Sequence, residues 1–468
     1  MRDLARCFIL LAVSLACAIG HSSAVLAASR DAPKPLNFIF ILVDDWGWTD
    51  AGCLGSDLYE TPHIDQLAKD GVRFTHGYSA CTVCSPTRAA VMTGKYPARL
   101  HLTDWITGHR RKNAKLRIPD WTMHLEHKEV TLAEALAAAG YRTCHVGKWH
   151  LGDEPYWPLK QGFDENFGGY SRGQPSYFSP YHIPTLKDGP KGEYLTDREA
   201  EEACGFIERN RDQPFFIYLA HYCVHTPLQA KQDVIEKYRN QVEQKGGARH
   251  RNPTYAAMVE SVDDCLGRVR AKLEEYGLAD RTVIVLTGDN GGLAIRNGPT
   301  DNYPLRAGKG SSYEGGTRVP LFVLWPGGAR PGSVSDTPAI SCDYYPTILE
   351  MAGVAGDAAH NAHVDGVSLT SVLQDPKTRL DRAIYWHYPH YHPGGATPYG
   401  AVREGDYKLI EFYEDHHVEL YNLVDDIGEK NDLAESQPQL AACLKEKLAA
   451  WRKSVDAQMP TPNPSYKP

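Results

Sequence analysis

Beyond its first thirty residues, this 468-residue chain has no apolar run near the roughly 20 residues that a membrane-spanning helix needs. It has no internal repeat, and its 41 glycines and 31 prolines argue against a coiled coil or helical array. Positive charge is not in surplus: 50 Lys and Arg face 58 Asp and Glu, for a net charge of −8. A broad surface for nucleic acid is therefore not expected, and an anionic ligand would have to be held by a local group of cations. Zinc-type pairs are also missing, because Cys81 and Cys84 have CxxC spacing without a second half. What remains is an ordinary globular composition, 42% apolar and 23% charged, which excludes extended disorder.

The beginning of the chain carries Arg2 and Arg6, an apolar run from Phe8 to Ile19, and small residues up to Ala27-Ala28. That order reads as a secretory signal peptide over 1–27, and the protein is expected to be exported to a periplasm or secreted. Eight cysteines (Cys53, Cys81, Cys144, Cys204, Cys223, Cys265, Cys342 and Cys443) could then form disulfides, with no pairing readable from spacing.

Leu36 to Val43, Pro214 to Ala220 and Thr282 to Thr287 are continuous apolar runs, the pattern of strands buried on both faces, and a further strand is expected from Arg142 to Val146. Helices are expected over 130–139, 197–210 and 255–276; the last has apolar residues at alternating steps of three and four. Alternating strands and helices predict an α/β fold, a mostly parallel sheet between helices, over 36–375. From 376 to 458, four short strand-like pieces and a helix (Pro438 to Val455) predict a small antiparallel subdomain. Residues 459–468, rich in proline, are expected to be a loose tail.

The polar residues of interest follow the buried strands: Asp44-Asp45 after the first, Lys148 and His150 after the second, His225 after the third, Asp289-Asn290 after the fourth. In an open α/β sheet, the carboxyl ends of the strands form the binding crevice, so four separate segments converge there. Asp44, Asp45, Asp289 and Asn290 offer an oxygen-only cage suited to calcium, or magnesium, rather than zinc. Ser85 and Pro86 suit a helix start, which places Cys84 at an N-terminus with Arg88 one turn on; by itself this reads as an activated thiol.

Cys84-Ser85-Pro86-Thr87-Arg88 matches the C-x-P-x-R signature, and the chain resembles the type I, formylglycine-dependent sulfatases of the alkaline phosphatase-like superfamily. Family-like stretches include Asp44-Asp45-Trp46-Gly47, Thr93-Gly94-Lys95-Tyr96-Pro97, Gly147-Lys148-Trp149-His150, Asp289-Asn290-Gly291 and Gly308-Lys309-Gly310, over roughly residues 36 to 455. His63 stands where Asn is commoner, and Gly288 where Ser is more usual. The resemblance implies that a formylglycine-generating maturation enzyme oxidises Cys84, whose hydrated aldehyde is a calcium-bound geminal diol that attacks sulfur. His225 is then the candidate acid for the leaving oxygen and His150 the base that lets sulfate leave as the aldehyde reforms. Lys148 and Lys309 would bind sulfate oxygens and Arg88 the hydrate.

Two other readings stand beside a sulfatase. One is a phosphate monoester or phosphonate hydrolase of the same superfamily, although Gly291 and Gly292 occupy the places where a two-zinc phosphatase would need histidine. The other is a non-catalytic glycan-binding protein on the same scaffold. For the substrate, Trp105, with Arg110, Arg111 and Lys112 nearby, and the run Trp386-His387-Tyr388-Pro389-His390-Tyr391-His392 supply aromatic faces and polar tips. With Arg403, these residues make Trp105, His387 and His390 the candidate contacts to a sulfated saccharide, in preference to a simple aryl sulfate. The pattern is similar to bacterial sulfatases acting on glycans with galactose-type sugars.

Overall fold

Each residue of the strand Asn37–Val43 is buried, because the strand lies in the middle of an eight-stranded sheet with helices on both faces. Side chains alternate across a strand. Ile39, Ile41 and Val43 therefore enter one core, with the helices Leu195–Arg209 and Pro253–Glu275. Phe38, Phe40 and Leu42 enter the other, with the helices Cys84–Thr93, Leu132–Ala138 and Tyr344–Ala352. Each such side chain contributes about 1.5–3 kcal/mol on burial. The computed structural model describes residues 34–245, 249–295 and 298–467; the expected signal peptide lies outside the described residues.

The strand order across the sheet is Ser333–Ser335, Val72–Phe74, Leu321–Leu324, Thr282–Gly288, Asn37–Val43, Phe215–Ala220, Arg142–Gly147 and Glu165–Phe167. The central strands run parallel, Leu42 pairing with Ala220 on one side and Thr287 on the other. Leu321–Leu324 runs antiparallel to both of its neighbours. All four buried strands read from the sequence are therefore adjacent and point the same way. Local chemistry sets the helix starts: Thr131 and Glu134 form a capping box, and the Asn252 side chain caps the helix that Pro253 opens.

The four strands Ala383–Tyr388, Tyr399–Glu404, Tyr407–Phe412 and Val418–Asn422 form an antiparallel meander, with the helix Pro438–Ser454 packed against it. Its tight turn uses Gly405 at φ 55°. Trp386, Tyr388 and Leu409 share a core with Tyr78, Val83, Ala90 and Tyr96, so residues 35–468 form one compact unit.

Two expectations need correction. The final residues are tied down rather than loose: Thr461–Pro462 pairs with Leu116–Arg117, and Asn463 donates to the carbonyls of Lys115 (2.9 Å) and Ala114 (2.8 Å). The backbone groups that proline leaves available are used in this short ladder. The nine described cysteines are all free thiols. No helix among the described residues is long and apolar enough to cross a membrane.

Candidate active site

The carboxyl ends of the central strands hold the polar residues in place by continuing the sheet ladder for one or two residues. Asp44 N donates to the Cys223 carbonyl (2.9 Å), Asp289 N to Val43 (3.1 Å) and Lys148 N to Ala220 (2.6 Å). Asp44, Asp45, Asp289 and Asn290, which come from chain segments some 244 residues apart, are thereby fixed side by side. Asn290 Nδ2 donates to Asp45 Oδ1 at 2.7 Å and Asp45 N to Asp289 Oδ1 at 3.2 Å.

Three cations meet these three carboxylates. Arg88 donates from Nε and Nη2 to Asp289 Oδ2 (3.0 and 2.8 Å) and from Nη1 to the Lys148 carbonyl (2.8 Å). Lys148 Nζ pairs with Asp44, and Lys309 Nζ with Asp45 Oδ1 at 2.6 Å. Burial alone would raise the pKa of Asp44, but Lys148 leads the charges that pull it below the usual carboxylate value. Burial likewise acts on Asp45 and is outweighed by Lys309, so its pKa is also lowered. With its guanidinium committed to Asp289 and Lys148, Arg88 orients a carboxylate of the cage; it was expected to hold the nucleophile.

Among the residues of this cage, Asp44 Oδ1 and Asn290 Oδ1 are buried oxygens without a hydrogen-bond donor. Such atoms are costly unless something binds them. Ligand atoms of Asp44, Asp45 and His225 lie within 4.8 Å of one another. An oxygen-rich donor set with two orphaned oxygens fits a hard divalent cation.

Cys84 opens the helix Cys84–Thr93, with Val83 as its cap; the expected start at Pro86 lies two residues too late, and Ser85 Oγ instead accepts from Ile106 N (3.2 Å). Burial raises the Cys84 thiol pKa, so the unmodified side chain is a neutral thiol rather than the activated thiolate that its helix position suggests. His150 Nδ1 lies 3.4 Å from Cys84 Sγ, and its Nε2 faces the Ile106 carbonyl. That carbonyl takes the Nε2 proton of the neutral ring, which leaves the Nδ1 lone pair turned to residue 84. Burial, then Lys148, pull the His150 pKa well below normal, in keeping with a neutral ring. His225 donates from Nδ1 to the Thr226 carbonyl (2.6 Å), and its Nε2 lies 3.7 Å from Asp45 Oδ2.

These residues form the floor of a cavity of about 1100 Å³, lined by Asp45, Cys84, Lys148, His150, His225 and Lys309. Trp105 and His392 stand together on its wall, ring centroids 5.4 Å apart. The remaining saccharide candidates are elsewhere. His387 is buried between the Tyr413 hydroxyl (2.8 Å) and the Gln458 carbonyl (2.9 Å), and burial lowers its pKa to about 4. His390 is buried against Thr103 and Trp121, and Arg403 against Tyr78 and the Gly405 carbonyl. All three are buried in the small sheet or its seam: strand alternation turned His387 and Arg403 inward, and His390 lies in the bend that follows the strand Ala383–Tyr388. Sequence reasoning missed Met123, Asp153, Arg172 and Gln174 on the cavity wall. They sit in loops with no periodicity to mark them, and the turn residues beside three of them (Gly152 before Asp153, Gly173 and Pro175 around Arg172 and Gln174) signal a loop without saying what it faces.

The chain is similar to proteins of known family. The family description Sulfatase matches residues 36–354, and the description N-sulphoglucosamine sulphohydrolase, C-terminal, matches residues 308–454. A sulfatase from Formosa agariphila is 32% identical, over 92% of this chain and 91% of that protein. The human N-acetylgalactosamine-6-sulfatase is 34% identical, over 76% of this chain and 69% of that one. The crystal structure of Ps i-CgsB in complex with k-i-k-neocarrahexaose is 31% identical with a TM-score of 0.76, covering 92% of this chain and 95% of that one.

Proposed function

The chain belongs to the type I sulfatases of the alkaline phosphatase-like superfamily and is a sulfuric ester hydrolase of the carbohydrate-sulfatase kind, and on that premise we propose that it removes sulfate from a galactose-type unit of a sulfated saccharide, using formylglycine at position 84 and calcium. The ion would be held by Asp44, Asp45, Asp289, Asn290 and the modified residue 84, and when bound it supplies Lewis-acid polarisation and charge neutralisation. The hydrated aldehyde supplies a nucleophilic hydroxyl and a second hydroxyl through which the sulfate ester can collapse.

The side chains of this protein do the rest. Lys148 and Lys309 hold sulfate oxygens where negative charge develops. His225, when protonated on Nε2 as well as on the Nδ1 that donates to Thr226, gives the Nε2 proton to the leaving alcohol oxygen. His150 Nδ1 takes the proton from the hydroxyl of residue 84. Arg88 keeps Asp289 in place. Trp105 and His392 face the sugar. Export through a signal peptide over 1–27, to a periplasm or the medium, would bring the enzyme to polymeric glycans.

The observation that carries this reading is the pairing of His150 Nδ1 with Cys84 Sγ at the floor of a cavity beside two orphaned oxygens. The saccharide is supported by the N-acetylgalactosamine in one relative's name and the k-i-k-neocarrahexaose bound in one solved structure. The test is sulfate release by protein produced with a formylglycine-generating enzyme, over sulfated galactose and N-acetylgalactosamine esters, carrageenan oligosaccharides and 4-nitrophenyl sulfate. Release from a galactose-type saccharide, lost in Cys84→Ala while the melting temperature is kept, is expected. Substantial turnover by Cys84→Ala would sink the formylglycine mechanism. Turnover of the aryl ester alone would overturn the saccharide assignment.

A further inference from the structure

Between Gly108 and Trp121 the chain leaves the cavity wall and returns to it. A Cβ on Gly108 would strike the Trp121 indole, so the two ends of this excursion touch. The loop carries Arg110, Arg111, Lys112, Lys115 and Arg117, all exposed, against one acid, Asp120. The end of the chain adds a sixth cation: Asn113 Nδ2 donates to the Lys467 carbonyl (2.9 Å) and Lys467 N to Asn113 Oδ1 (3.2 Å).

Acids neutralise only part of this set. Arg110 pairs with Asp120 at 2.6 Å and Lys115 with Glu414 at 3.3 Å. Arg111 lies over the Tyr391 ring, and Lys112, Arg117 and Lys467 have no ion pair among the described residues. In a chain of net charge −8, so many like charges in one loop repel each other. The loop is nevertheless braced, by the Leu116–Arg117 ladder with Thr461–Pro462 and by Leu116 N donating to the Tyr391 hydroxyl at 3.1 Å. Its root lies at the mouth of the cavity, since Trp105, Ile106 and Thr107 line the cavity just before Gly108. None of the six cations lines the cavity itself.

We infer that this basic loop, clamped by the C-terminal segment, is a docking surface for a sulfated polysaccharide and holds sulfate groups on units beyond the one whose ester is cleaved. The inference takes its ligand class from the sulfatase reading above. A braced cationic ridge at the rim suits a chain that carries repeated anions past the cavity. Exposed charge pairs are individually weak, so four together change apparent affinity by about tenfold and lose their effect in salt.

The experiment compares the parent with the variant Arg111→Gln/Lys112→Gln/Arg117→Gln/Lys467→Gln. A control variant removes the same charge elsewhere: Lys160→Gln/Lys187→Gln/Lys191→Gln/Lys377→Gln. Retention on immobilised dextran sulfate is measured over a salt gradient, together with KM for a sulfated oligosaccharide and for 4-nitrophenyl sulfate. The loop variant is expected to elute at lower salt than both other proteins, with KM raised about tenfold for the oligosaccharide only. Equal elution of parent and loop variant, or equal loss from the control, overturns the inference. If no ester is turned over by any of the three, the sulfatase reading fails, and the column still decides whether the loop binds sulfated chains.

Discussion

Asp45 and His150 both hold left-handed backbone, with φ of 58° and 57°, a conformation that costs a non-glycine residue about 1–3 kcal/mol. Both stand where the chain turns sharply off a buried strand to aim a side chain into the cavity, which is where such strain is tolerated. Lys309 reaches the same point from a loop, and burial disfavours its charge, yet Asp45 outweighs this and raises its pKa. A fixed cation aimed at developing charge is typically worth about 10²–10³ in rate. Lys309→Ala should therefore lower kcat/KM by roughly that factor for every sulfate ester, large or small; a loss under about tenfold would remove Lys309 from the reacting centre. At this scale the sequence was informative where a polar residue directly follows a buried strand, as for Asp44, Lys148 and Asp289. It misled for His387 and Arg403, because a lone strand does not reveal which of its faces is covered by a distant segment such as Tyr78 or Gln458.

The loop that carries Lys309 is anchored through Glu314, four residues before Arg318 and fully buried. Lys408, on the strand Tyr407–Phe412, donates to Glu314 Oε1 (2.9 Å) and Glu429 Oε1 (3.0 Å), which joins the small sheet to the loop of Lys309. Removing Lys408 takes the shared cation from two buried carboxylates, and Arg318, 3.4 Å from Glu314 Oε2, is no partner to Glu429, so Lys408→Met should cost about 3–5 kcal/mol. Adding Glu314→Gln and Glu429→Gln should recover part of it, as read from denaturant midpoints; an unaffected Lys408→Met protein would contradict the anchoring. A second seam depends on pH. Asp104 accepts from the Tyr388 hydroxyl (2.9 Å) and Trp105 N (2.9 Å), its Oδ2 has no partner, and burial raises its pKa to about 8. Between its unfolded pKa near 3.8 and about 8, the folded state keeps a proton that the unfolded chain has released, so this group's contribution to stability falls as pH rises. Asp104→Asn stays neutral throughout. Its melting temperature should exceed that of the parent by about 2 °C or more at pH 8, with the gap closing by about pH 4; a gap independent of pH would contradict the shift. Elements with strong patterns, such as the apolar strands and the helix Pro253–Glu275, were legible in the sequence. The helix Gln232–Lys245 was not, since only Ile235 and Tyr238 are buried, and the three-residue strands Val72–Phe74 and Ser333–Ser335 are too short for a period to show.

Across the whole molecule, the cage balances three buried carboxylates with the buried Arg88 and Lys148 and the partly exposed Lys309, gathered from strand ends and loops that span residues 44 to 309. A divalent ion bound there would add two positive charges to an otherwise neutral cluster, and a sulfate ester is the kind of anion that such an excess attracts. The donors for the ion, Asp44, Asp45, Asp289 and Asn290, come from the two central strands that hold both hydrophobic cores together. Binding the ion should thus oppose separation of those strands as well as prepare the site. A ligand that binds only the folded state stabilises it by about 2.7 kcal/mol at a hundredfold excess over Kd. Protein treated with a chelator and exchanged into metal-free buffer should accordingly lose sulfate release and melt at a lower temperature. Titrated calcium should restore both over one concentration range. Magnesium, which needs tighter octahedral geometry, should restore less at equal concentration. The same titration on Asn290→Ala, which removes one of the two orphaned oxygens, should move the calcium midpoint upward for melting temperature and activity alike. If calcium leaves the melting temperature of the chelated parent unchanged, the oxygen cage does not hold the ion, and the charge excess needed for sulfate must come from elsewhere in the cavity.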